Sequence, residues 1–132
     1  MTLERETHGA GVRPSMLAQV STEMVRLYKE QFGRGPESAA TSWAGTDVLL
    51  CTLHKSLTPA ERNLVAMGEQ ERLRDTRLFF QHAAAVEFRA AVERLTGRHV
   101  RAFISGMDVQ RDVAAELFYL EPAHGAGGTP SA

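Results

Sequence analysis

The segment YKEQFGRG (Tyr28–Gly35) and the segment VERLTGRHV (Val92–Val100) carry the same event twice: a helical run that ends at a Gly-Arg pair and hands over to extended chain. An offset of 64 residues superimposes Gly33-Arg34 on Gly97-Arg98. Each pair is followed by a Gly and an Asp, Gly45/Asp47 in the first copy and Gly106/Asp108 in the second. Glycine after a helix reads as a left-handed cap, because only a residue without Cβ takes that conformation without cost. The repetition predicts a duplicated helix-strand-strand unit.

Working outward, Ser15 is a helix cap, and Met16, Val20, Met24, Leu27 and Tyr28 recur at three- and four-residue steps, the pattern of an amphipathic helix. That helix should stop at Gly33, with Pro36 preventing its continuation. Ser38 to Trp43 and Val48 to Leu53 read as two strands joined by the turn Ala44-Gly45-Thr46-Asp47. Thr58-Pro59-Ala60-Glu61 opens the next helix: Thr58 caps it, Pro59 suits the first position, and Glu61 can reach back to complete a capping box. A bend is expected at Gly68. A single long helix from Glu69 to Thr96 follows, its inner stripe made by Leu73, Phe80, Ala84, Phe88, Ala91 and Leu95. Gly97 stops it, and Val100–Ser105 and Val113–Leu120 form the second strand pair across a turn holding Gly106, Asp108 and Asp112.

The fold class is therefore α+β: two helix-strand-strand units giving a four-stranded, mostly antiparallel sheet with helices packed on one face. One domain is expected over residues 15–121, with segments 1–14 and 122–132, rich in Gly, Pro and small residues, as disordered tails. The strands Leu49–Leu53 and Ala114–Leu120 carry apolar residues on both faces, more than a sheet with one solvated side needs, so a homodimer covering the second face is expected.

Composition narrows function by exclusion. The chain has 132 residues, 43% of them hydrophobic and 23% charged, with a formal charge of -1, which gives no global attraction to DNA, RNA or an anionic membrane. No run is long and apolar enough to span a bilayer, and the start MTLERETHGAG lacks the apolar core of a secretion signal. A cytoplasmic location, peripheral to the inner face of the membrane, is the expectation. The lone Cys51 has no partner for an intramolecular disulfide and no Cys/His cluster around it. Cys51 and His54 are three apart, so in a strand they point to opposite faces and do not make a nucleophile-base pair. His82 and His99 lack ligand spacing. With no phosphate loop, dinucleotide fingerprint or nucleophile elbow, neither catalysis nor a cofactor is expected.

The candidate anion or partner site consists of Arg34, Arg98, Trp43, Arg72 and Arg77. Arg34 and Arg98 can make forked bonds to carboxylate or phosphate. Both follow helix C-termini, where the dipole disfavours an anion, so they read first as ties within each unit, and otherwise as a symmetric anion site. Arg72, Arg74 and Arg77 stand among Glu71 and Asp75, either as a solvated mixed-charge face or as a docking surface for an acidic partner or RNA. Trp43, at the hairpin, is a core or interface plug, with ligand stacking as the alternative.

The run RLRDTRLFFQ (Arg72–Gln81), Phe88, the TGRHV core (Thr96–Val100) and DVAAELFYLE (Asp112–Glu121), together with the Thr58-Pro59-Ala60-Glu61-Arg62 helix start and the Phe32–Pro36 junction, resemble the MpsC-like family. The likeness covers roughly residues 16 to 121; the chain departs from the family in placing Gly106 after Ser105, with Asp108 later. The resemblance implies a small bacterial accessory component of a sodium-translocating, membrane-potential-generating, bicarbonate-linked system, with a membrane transport subunit as partner. It supplies no catalytic residues. The other readings are a soluble regulator that binds a small anion between Arg34 and Arg98, and an RNA-binding module using Arg72 to Arg77.

Overall fold

A computed structural model describes residues 13–123; the expected tails lie outside the described residues apart from positions 13, 14, 122 and 123. Helix α1 (Met16–Phe32) starts where the Ser15 hydroxyl accepts the Ala18 N–H at 3.1 Å and ends at Gly33, whose φ of 83° is the left-handed cap the sequence predicts. Strands β1 (Ser38–Trp43) and β2 (Val48–His54) form a hairpin. Helix α2 (Pro59–Ala66) carries the capping box in full: the Thr58 hydroxyl accepts from Glu61 N–H, and the Glu61 carboxylate accepts from Thr58 N–H.

The expected single helix over 69–96 is two, α3 (Gln70–Ala83) and α4 (Ala85–Thr96), meeting at Ala84, where φ -96° and ψ 11° leave the helical region. Nothing local forces the break, since the alanines around it are good helix formers. Tertiary contacts differ on its two sides: both helices lie on the third strand, but α3 also packs against α2 and α4 against α1. The expected inner stripe also shifts. Leu73, Ala84, Phe88 and Ala91 are buried as predicted, but Phe80 is exposed, and Arg77 and Gln81 turn inward.

Strand β3 (Val100–Asp108) runs three residues beyond the predicted end at Ser105, passing through Gly106, and pairs along its length with β4 (Val113–Leu120). Sheet order is β1-β2-β4-β3, every neighbouring pair antiparallel. The two hairpins thus meet through their inner strands, and the middle of that seam is the pair Cys51 and Glu116. Gly97 repeats the cap of Gly33 with φ 71°, so the duplicated unit is visible in both sequence and geometry.

One face of the sheet builds the core. Leu49, Cys51, Leu53, Ala114, Phe118 and Leu120 pack with Val20, Met24, Leu27 and Tyr28 of α1 and Phe88, Ala91 and Val92 of α4. A smaller cluster of Leu57, Leu73 and Val109 sits under α2 and α3. The alternate residues Val48, Leu50, Ile104, Leu117 and Tyr119 lie on the opposite face, with Thr52, His54 and Asp108 toward one end of it, and belong to neither cluster; Ile104 is half exposed.

Candidate functional site

Alternation along β4 places Ala114, Glu116, Phe118 and Leu120 on the buried face. Glu116 therefore enters the core as a carboxyl with no solvent exposure. Three elements supply its neighbours. The Tyr28 hydroxyl of α1 donates to Oε2 at 2.5 Å, and Gln81 Nε2 of α3 donates to the same oxygen at 2.6 Å. Gln81 Nε2 also lies 3.3 Å from Ser105 Oγ on β3, and Ser105 is the strand partner of Glu116. Glu116 Oε1 and Gln81 Oε1 are buried without a hydrogen-bond partner.

Burial pushes the Glu116 carboxyl up to about 7, against the hydrogen bonds from Tyr28 and Gln81, which favour the ionised form. Burial, then the neighbouring Glu116, raises the Tyr28 phenol well above its ordinary value. The Cys51 thiol, across the seam, is pushed up to about 12, chiefly by burial. Beside this cluster a recess of about 220 Å³ is lined by Leu78, His82, Phe103 and Ser105.

One turn earlier on α3, Arg77 is buried. Its Nη2 and Nε meet Glu61 Oε1 and Oε2 at 2.7 and 2.9 Å, Nη2 also donates to the Ser56 carbonyl at 3.0 Å, and the guanidinium lies 3.8 Å from the centre of the Phe32 ring. Burial acts to raise the Glu61 carboxyl, but hydrogen bonds from Arg77 and the Thr58 backbone outweigh it and hold the group below its ordinary value. The capping box thus positions the carboxylate that receives Arg77.

The remaining candidates fall elsewhere. Arg34 Nη1 donates to the carbonyls of Lys55 and Leu57 at 2.7 and 2.9 Å, beyond the C-terminal end of β2. Arg98 bonds the Glu121 carbonyl at 2.9 Å, the Thr46 carbonyl and the Asp47 carboxylate, before the N-terminal end of β2, and stands 5.6 Å from the Trp43 ring. The two arginines are therefore ties at opposite ends of one strand, and the structure does not bring them to a common site. Arg72 is exposed and 3.6 Å from Glu69, away from the buried Arg77. Trp43 is 39% exposed, so it covers the sheet end without being sealed in the core.

Sequence reasoning missed Glu116 and Gln81 as a pair. The signal for Glu116 was present: a carboxylate at an inward step of an otherwise apolar central strand, AAELFYL. Among the described residues no group of three His, Cys, Asp or Glu is placed to hold a metal ion, and no helix is long and apolar enough to cross a membrane.

Fold and site together define an α+β domain of two related helix-hairpin units, closed over a buried carboxyl at their seam. The chain belongs to the MpsC family: residues 13–122 match the family described as Na+-translocating membrane potential-generating system (MpsC). No curated protein and no solved structure matches it.

Proposed function

We propose that this protein is a non-catalytic accessory subunit of a sodium-translocating, membrane-potential-generating system. It works as a homodimer, at the inner side of the membrane, beside a membrane-embedded transport subunit. Family membership supports the system. The observation that carries the mode of action is the second face of the sheet, where Val48, Leu50, Leu117, Tyr119 and Ile104 lie outside the core clusters. Its centre is apolar, while Thr52, His54 and Asp108 stand toward one end of the same face, and an apolar centre suits a twofold contact in which the same patch meets itself. Arginine ties already engaged with carbonyls and carboxylates leave the anion-regulator reading without support from geometry.

Two measurements test this. Sedimentation of the full chain should give a dimer, and a monomer would remove the self-association. Affinity purification of the tagged chain from native membranes under mild detergent should retain a polytopic subunit. Its consistent absence would remove the accessory role, whatever the oligomeric state.

A further inference from the structure

Buried polar atoms in folded proteins find partners almost without exception, because an unmatched one forfeits its hydration and receives nothing in return. Here two such atoms, Glu116 Oε1 and Gln81 Oε1, are orphaned on side chains already joined by Gln81 Nε2 to Glu116 Oε2. Both orphans are acceptors, so each lacks a hydrogen. A carboxylic acid and a primary amide have matched edges, each offering one donor and one acceptor. When the acid keeps its proton, an N–H···O bond on one side can be closed by an O–H···O bond on the other.

We propose that Glu116, Gln81 and Tyr28 form a binding site for a single proton, carried on Glu116 Oε1 and shared with Gln81 Oε1, so that the carboxyl is neutral while α1 and α3 are docked on the sheet. The surroundings fit a neutral acid. From α1 comes only the Tyr28 hydroxyl; from β2, the Cys51 thiol; from β3, the Ser105 hydroxyl; from α4, the ring of Phe88, edge-on to Tyr28. The nearby cation on α3, Arg77, is committed to Glu61 and the Ser56 carbonyl. Burial raises the carboxyl's pKa in the same sense. Loss of the proton to water leaves a carboxylate whose Oε1 has no donor, at the place where α1, α3 and the sheet meet. The recess lined by Ser105 and His82 lies on the β3 side of the cluster. Protonation thereby becomes a signal that the helical layer can read near neutral pH, and this holds whether or not the accessory role is correct.

The test follows the side-chain carboxyl carbon of Glu116 by NMR in protein labelled with carbon-13 glutamate, the resonance assigned by its disappearance in Glu116→Gln. The expected midpoint is near neutrality; one in the ordinary carboxylate range overturns the proposal. Tyr28→Phe, which keeps the carboxyl and removes a donor that favours its ionised form, should move the midpoint up, and a downward movement counts against the site. The titration is repeated with choline chloride replacing sodium chloride. An unchanged midpoint supports a proton site, whereas a midpoint lowered by sodium alone shows a metal cation competing for the oxygens and overturns it. Thermal unfolding reads the same event independently of assignment. The folded-state pKa is raised to about 7, so its stabilisation is full below the ordinary carboxylate range and is lost as pH rises from there to neutrality. Wild type should lose melting temperature over that window more steeply than Glu116→Gln, and parallel curves would sink the idea.

Discussion

Arg77 and Arg72 stand five residues apart on one helix, yet they live in different media. Arg72 is bathed in solvent beside Glu69, and Arg72→Ala should change stability by less than about 0.5 kcal/mol. Arg77 is 2% exposed and forks onto Glu61. Arg77→Ala strips the partner from a largely buried carboxylate and from the Ser56 carbonyl, and should cost about 3 kcal/mol or more in urea unfolding. Equal losses for the two variants would refute the distinction. Sequence alone did not separate them, because helical periodicity assigns a face but not what that face meets. The inward turn of Arg77 depends on Glu61, which lies 16 residues away and is itself aimed by Thr58. The capping box was legible; its second use, as the seat of an arginine, was not.

At the scale of elements, helix ends were the readable part. Both Gly-Arg junctions, the Ser15 cap and the Thr58 box depend on residues within a few positions of one another, so local physics determines them. Gly33 and Gly97 hold φ of 83° and 71°, and a Cβ at either would meet nothing within 4 Å. Gly33→Ala and Gly97→Ala should therefore each cost about 1 kcal/mol from backbone strain alone, and the double variant should lose their sum, because distant sites add. Chemical denaturation of the three variants checks this; a marked departure from additivity would mean that the two junctions communicate. The break at Ala84 was not legible. The apolar stripe passes through it without losing phase, and the bend goes with α3 packing on α2 and α4 on α1 while both lie on β3. The extension of β3 past Ser105 is of the same kind: Gly106 reads locally as a turn but is held straight by pairing with Ala115.

For the whole molecule, the duplicated unit predicted a sheet related by halves, and the order β1-β2-β4-β3 is what such halves make when their inner strands join. The proposed homodimer requires the outer face of the sheet, where β2 and β4 carry apolar residues. Leu117 is the central test. It lies between Leu50 and Ile104 in one cross-strand row of the outer face, where a charge is tolerated by solvent but not by a sheet-to-sheet contact. Leu117→Asp should leave the fold intact by circular dichroism and shift a dimer to monomer in sedimentation. A dimer that survives it uses some other surface.

The single Cys51 has no solvent exposure and faces Glu116 across the seam between the halves, with its thiol pushed up to about 12. A thiolate is the reactive form, so the native state is shielded twice, by lack of access and by lack of ionisation. A thiol reagent therefore clocks how often the two halves part, without any engineered label. In wild type at neutral pH, modification should be slow and should accelerate in step with added denaturant, whereas rapid labelling of the native protein would mean that the seam breathes far more freely than its burial implies.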